Sequence, residues 1–222
     1  MDIMEAMKQR HSVRQYLNKP IEKEILSVLK EEINICNKES GLHIQLVTDE
    51  PKAFDSFMAH YGKFSGVTNY IALVGKKGND LDEKCGYFGE RVVLKAQQLG
   101  LNTCWVAMTY SKIPGAFKVD KDEKLTVVIA LGYGENQGVE HKSKPAEKIS
   151  NISENTPEWF KKGVDAALLA PTAMNQQKFY FNYVNGKVSA KAKVGFYTKL
   201  DLGIVKYHFE LGAEKDSNIF FN

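Results

Sequence analysis

The chain has 222 residues, 43% of them hydrophobic, with 12 Phe, 10 Tyr and 2 Trp. That is enough to bury a core without disulfides or metals, and it excludes an intrinsically disordered chain. Thirty Lys and Arg against 27 Asp and Glu leave a net charge of +3, which gives no whole-molecule footprint for nucleic acid or an anionic membrane; positive charge that matters must be local.

The three cysteines, Cys36, Cys85 and Cys104, are odd in number and widely spaced, which fits neither a disulfide framework nor a CxxC pair. They read as reduced thiols of a cytosolic protein. Asp2 and Glu5 interrupt the apolar start, which argues against a secretory signal. No window approaches the roughly 18 apolar residues of a membrane span. A cytoplasmic location without membrane or nucleic-acid partners is expected.

In chain order, Ile3, Met4 and Met7 predict a short amphipathic helix that stops at the basic cluster Arg10, His11, Ser12, Val13, Arg14. Asn18 and Pro20 announce a second helix through Ile21, Ile25, Leu29 and Ile33, ending between Asn37 and Gly41. A strand follows at Leu42 to Thr48, then a short helix around Ala53 to His60 and a buried strand at Asn69 to Gly75. Leu81, Cys85, Phe88, Val92, Ala96 and Leu99 form the longest helix, stopped by Gly100. Gly86 and Gly89 thin one side of it, so another helix or a ligand approaches there.

Strands at Thr103 to Met108 and Leu125 to Leu131 come next, followed by one long loop from Gly132 to Asn155. Thr156 as N-cap and Pro157 at the first helical position start a helix that Pro171 ends. Lys178 to Val184 and Lys187 to Val194 form a hairpin around an Asn185-Gly186 type I′ turn. An amphipathic helix from about Asp201 to Gly212 closes the chain.

Familiar catalytic patterns are missing. His11, His43, His60, His141 and His208 are scattered singly, so no zinc motif is visible. No GxSxG elbow occurs around Ser65. GKKGND, residues 75–80 after the strand at Asn69 to Gly75, lacks a GK[ST] ending and reads as a nucleotide loop or an ordinary turn. GYGENQG, residues 132–138, leads into a loop rather than a helix and so fails as a dinucleotide fingerprint.

What remains is the arginine segment. Arg10, Ser12 and Arg14 alternate, which can aim two guanidinium forks and a hydroxyl one way, the geometry that grips a phosphate; a solvated basic turn is the other reading.

RHSVRQY near the N-terminus resembles the opening of the nitroreductase family of flavin enzymes, whose Arg-x-Ser-x-Arg segment holds the FMN phosphate and ring edge. GERVVLKAQQLGLNTCWVAM is similar to that family's long central helix and the LGLGTCW strand after it, TVVIALGY to its LGYP strand, HKSKP to its Lys-x-Arg-x-Pro ending, and APTAMNQQKFYF to its APSxxNxQPWxF turn. The resemblance implies an α+β, nitroreductase-like fold: a central mixed or antiparallel sheet flanked by helices, open to an internal pseudo-dimer. It covers most of the chain.

One departure carries information. The APSxxNxQ turn ordinarily follows the second helix, and here its counterpart lies at residues 170–177. Helix, turn and strand recur as residues 21–48 and 157–184, so the C-terminal third reads as a fused, truncated stand-in for a partner subunit. Residues 1–150 are then the core half with the phosphate site, and 151–222 supply the other side of the flavin, in a self-sufficient monomer or a homodimer.

By position, the resemblance assigns Arg10, Ser12, Lys144 and Lys142 to the FMN phosphate, with His11 beside them, and Arg14 to the pyrimidine edge, where a fixed charge raises the reduction potential. Pro171, Thr172 and Asn175 pack and hydrogen-bond the flavin, and the backbone of Ala107 and Met108 lies by its reactive N5. The family usually has Glu-Gly or Gly-Gly at that spot. Trp105 is core rather than a stacking platform. The implied activity is hydride transfer from NAD(P)H through FMN to a small-molecule acceptor such as a nitroaromatic or quinone, which requires no side-chain acid or base and no metal. A flavin-binding storage or sensing protein without turnover is the alternative.

Overall fold

The computed structural model describes residues 1–221. It divides into two compact units, one of residues 1–81 and 91–140, the other of residues 82–90 and 141–222. The first half of the helix expected over Leu81 to Leu99 belongs to the second unit.

In the first unit, α1 (Ile3–Gln9) starts where the Asp2 side chain accepts a hydrogen bond from the Glu5 amide at 2.8 Å. α2 (Lys23–Ser40) ends at Gly41, whose φ of 70° is the left-handed stop that glycine adopts without strain. α2 begins later than Asn18 and Pro20 suggest, because Leu17 is still tied to the Tyr133 carbonyl at 2.8 Å and the chain there is extended.

β1 (Gln45–Val47) is shorter than expected, since only these three residues ladder with their neighbour. The helix expected over Ala53 to His60 is broken into a 3-10 turn at Lys52–Phe54 and a five-residue α3 (Phe57–Tyr61), with Ser56 capping the Ala59 amide at 3.3 Å. β2 (Asn69–Lys76) is buried over seven of its eight residues, consistent with its unbroken apolar run.

α4 (Leu81–Gln98) contributes its C-terminal half to this unit; at 18 residues it equals α2 rather than exceeding it. β3 (Asn102–Val106) and β4 (Glu123–Gly132) complete a four-stranded sheet of order β1-β2-β4-β3, antiparallel throughout. Val13, Tyr16, Phe54, Phe64, Tyr70, Cys104 and Val128 belong to one core cluster on it.

In the second unit the expected long loop contains a short helix, α5 (Ala146–Ile149). α6 (Glu158–Leu168) has Pro157 rather than Thr156 at its N-cap; the Thr156 hydroxyl instead donates to the Ser153 carbonyl at 2.6 Å. β5 (Phe179–Val184) and β6 (Lys187–Ala192) form the expected hairpin, with φ of 49° at Asn185 and 81° at Gly186.

α7 (Thr198–Ala213) departs from the amphipathic expectation: twelve of its sixteen residues are buried. The cause is a close crossing. A Cβ on Gly86 would lie 2.0 Å from the Leu200 carbonyl oxygen, and one on Gly203 would lie 1.9 Å from that of Glu83. The partner that Gly86 admits is therefore a helix, α7, packed against the first half of α4. Phe209 of α7 stacks on Phe181 with ring centres 4.6 Å apart and meets Phe160 edge to face at 5.6 Å.

Candidate functional site

The arginine segment lies outside the named strands and is held by isolated backbone bridges. Ser12 pairs with Thr103 of β3, Gln15 with Ser65, and Tyr16 with Gly134. Residues at positions i and i+2 of an extended chain share a face, so Ser12 and Arg14 project together, while Val13 is buried in the core. Arg10 caps α1 and is 3% exposed. Arg14 is exposed; its guanidinium lies 5.9 Å from the centre of the Phe64 ring and forms no ion pair among the described residues. Burial pushes the Cys104 thiol up, and Arg14, a hydrogen bond with Ser12, and Arg10 oppose that shift, so all three act electrostatically on one neighbour.

Gly138 explains the glycine-rich GYGENQG stretch. Its φ is 74°, and a Cβ would stand 2.7 Å from His11 Cβ and 3.0 Å from the Ser12 carbonyl oxygen. The glycine lets the loop press onto the arginine segment and fix it from that side. Ala107 and Met108 follow β3, the strand that pairs with Ser12; Ala107 is half-buried and Met108 is 68% exposed. Next to Ser12, the Thr103 hydroxyl is buried without a hydrogen-bond partner among the described residues.

In the second unit, Lys142, Lys144, Thr172 and Asn175 are brought together by a hydrogen-bond network that the sequence does not announce. Asn175 Nδ2 and Gln177 Nε2 both donate to the Lys142 carbonyl at 2.9 Å, and Gln177 Nε2 also donates to Asn175 Oδ1 at 2.7 Å. The Gln177 amide donates to Thr172 Oγ1 at 3.1 Å. The Lys144 ammonium donates to the carbonyls of Gln176 at 2.6 Å and Gln177 at 3.2 Å, and its amide to Gln177 Oε1 at 2.8 Å. Pro171 is half-buried before this turn.

The turn is strained. Met174, Asn175 and Gln177 have φ of 51°, 51° and 44°, a left-handed conformation that non-glycine residues adopt at a cost and that surrounding bonds must impose. Asp201, 2% exposed, is one source: its Oδ1 accepts from the Ala173 amide at 3.0 Å and its Oδ2 from Gln176 Nε2 at 3.1 Å. Burial raises its carboxyl to about 6 against the pull of those two bonds. Gln176, Gln177 and Asp201 are not among the residues that the family resemblance assigns to the flavin. The Asn-x-Gln spacing points to Gln177; nothing local points to Asp201.

Folding also gathers His43, Asp120 and Glu123, whose ligand atoms lie within 4.8 Å of one another. His43 Nδ1 is 3.0 Å from Glu123 Oε2 and Lys118 Nζ is 2.9 Å from Asp120 Oδ1, so these groups satisfy one another.

A family model described as "Putative TM nitroreductase" matches residues 2–213. The chain belongs to this nitroreductase family. It is similar in structure to a Thermotoga maritima protein described as a "putative nitroreductase", at 25% identity and a TM-score of 0.69, over 96% of this chain and 83% of that one. It also shares its fold with an FMN-dependent nitroreductase from Clostridium difficile (20% identity, TM-score 0.50, 68% of this chain and 98% of that one). A Desulfovibrio desulfuricans protein described as a "putative nitroreductase in complex with FMN" aligns at 16% identity and a TM-score of 0.52, over 71% and 99% of the two chains. No curated protein matches. Membership and fold make the chain an oxidoreductase of nitroreductase type, and no helix among the described residues is long and apolar enough to cross a membrane.

Proposed function

We propose that the protein is an FMN-dependent NAD(P)H oxidoreductase acting on nitroaromatic, quinone or similar small-molecule acceptors. The observation that carries this reading is the extended Arg10-Ser12-Arg14 segment, clamped by Thr103 and Gly138. The segment presents a hydroxyl and a guanidinium fork on one face, and the Arg14 charge is not neutralised by any carboxylate among the described residues. That donor set suits a phosphate and an electron-rich ring edge.

Arg10 and Ser12, with His11 beside them, would hold the FMN phosphate together with Lys142 and Lys144; Arg14 would face the pyrimidine edge. The backbone at Ala107 and Met108 would approach N5, while Pro171, Thr172 and Asn175 would pack and hydrogen-bond the ring. Bound FMN supplies hydride transfer between NAD(P)H and an oxidised acceptor. The side chains orient the cofactor and bias its charge, so none of them has to move a proton. Both residue sets serving one flavin per chain would make the C-terminal part a stand-in for a second subunit.

Equilibrium titration with FMN and riboflavin tests the assignment. Charge-assisted hydrogen bonds contribute roughly 1.5 to 3 kcal/mol each, so Arg10→Ala should weaken FMN by about one to two powers of ten and riboflavin far less. Equal losses would remove Arg10 from the phosphate site. A flavoprotein without turnover is favoured by one observation: Met108, 68% exposed, stands at the position assigned to N5. Anaerobic mixing of the FMN-loaded protein with NADH and NADPH separates the two, since bleaching by either donor supports turnover and persistence of colour with both supports binding alone.

A further inference from the structure

Between Asp165 and Asp201 the chain contains no acidic residue, yet Lys178, Lys187, Lys191, Lys193 and Lys199 fall there. In a chain whose charges otherwise nearly cancel, this is a local excess that the total of +3 conceals. The hairpin register gathers most of it on one surface. Lys191 stands opposite Tyr180 and Lys187 opposite Val184, and the Lys193 amide donates to the Lys178 carbonyl at 2.8 Å. Strand alternation then puts Lys178, Tyr180 and Val184 on the same face as Lys187, Lys191 and Lys193. The opposite face carries Phe179, Phe181 and Val188, all buried.

At the end of this basic face the chain turns outward. Val194 is 95% and Phe196 66% exposed, around Gly195, and Lys193 and Lys199 flank them. The Lys193 ammonium lies 5.0 Å over the Tyr180 ring. A protruding apolar pair set among lysines, on a stretch of sequence without acidic residues, has the chemistry of a bilayer-surface anchor: ammonium groups meet anionic headgroups, and the apolar tip enters the acyl boundary. A single-stranded nucleic acid would use the lysines and the aromatic rings for backbone contact and stacking but would leave Val194 in water.

We propose that the outer face of the β5–β6 hairpin and the loop before α7 dock on an anionic lipid surface. This inference does not depend on the bound cofactor.

Flotation of the purified protein with vesicles of phosphatidylcholine alone, and of phosphatidylcholine mixed with phosphatidylglycerol, at low and high salt, tests it. The protein should float only with the anionic vesicles and be released by salt. Replacing Lys187, Lys191 and Lys199 with Gln should lower partitioning on the order of a hundredfold. Val194→Ser with Phe196→Ser should lower it roughly tenfold or more. All five positions are exposed, and circular dichroism checks that the variants fold. Failure of the wild type to float with anionic vesicles overturns the proposal. Unchanged flotation of the Val194→Ser/Phe196→Ser variant, with equal binding to heparin, also overturns it, because the face would then be a general polyanion site. A change of sedimentation coefficient in that variant would assign the loop to a second copy of the chain and overturn it likewise.

Discussion

Asp201, on the first turn of α7, holds the side chain of Gln176 at 3.1 Å across the strained turn that carries Thr172 and Asn175. The same carboxylate takes the Ala173 amide, and the Asp201 amide donates to the Tyr197 carbonyl at 2.9 Å. One buried acid thus fixes both the turn and the start of the helix.

That acid should be visible in the pH dependence of stability. Its carboxyl is raised from 3.8 to about 6 by burial, so between those values the folded protein holds a proton that the unfolded chain has lost. Stability contributed here is therefore greatest at low pH and falls as pH rises through that window, by up to about 3 kcal/mol. Urea denaturation of wild type and Asp201→Asn from pH 4 to 7 should give a difference that changes across the window. A pH-independent difference would show that Asp201 does not titrate there.

Glu210 should behave similarly over a higher range. Its carboxyl is raised from 4.5 to about 7 by burial, against the pull of a hydrogen bond from Tyr87 and the charge of Lys206, and its Oε1 is buried without a hydrogen-bond partner among the described residues. Stability should fall as pH rises from 4.5 to 7, and Glu210→Gln should remove that part of the slope in the same denaturation series.

The crossing of α4 and α7 predicts a sharp contrast between glycines. Gly203→Ala places a methyl 1.9 Å from the Glu83 carbonyl oxygen and 2.6 Å from the Tyr87 amide nitrogen, and should cost about 3 kcal/mol or more because backbone on both sides must shift. Gly41→Ala meets open space but keeps φ at 70°, and should cost about 1 kcal/mol. Chemical denaturation of the two variants measures the difference.

Near that crossing, Glu90 Oε1 and His208 Nε2 pair at 2.8 Å with neither side chain exposed. His208→Leu takes that nitrogen from a buried carboxylate and should destabilise by roughly 3 to 5 kcal/mol. The double variant Glu90→Gln/His208→Leu should recover part of the loss. A fully additive double-mutant cycle would mean the pair is not coupled.

Local signals made much of the fold legible. Apolar spacing marks α4, an unbroken apolar run marks β2, and Asn185-Gly186 marks the hairpin turn. What escaped depends on contacts distant in sequence. Pro20 suits a helix start, but the Leu17 amide is held by Tyr133, and α2 waits until Lys23. α7 reads as amphipathic because its polar positions are charged or titratable; His208, Glu210 and Asp201 are nonetheless buried, each against a partner far along the chain. For the candidate site, the Arg10-Ser12-Arg14 alternation was readable, whereas Gly138 and Asp201, which hold the two candidate segments in shape, show their roles only once folded.

Flavin titration of the purified chain tests the functional assignment most directly. Absorbance and protein concentration together should give saturation at one FMN per chain, with a yellow protein that NADH or NADPH bleaches under anaerobic conditions. A colourless chain that takes up no FMN at any concentration would contradict it.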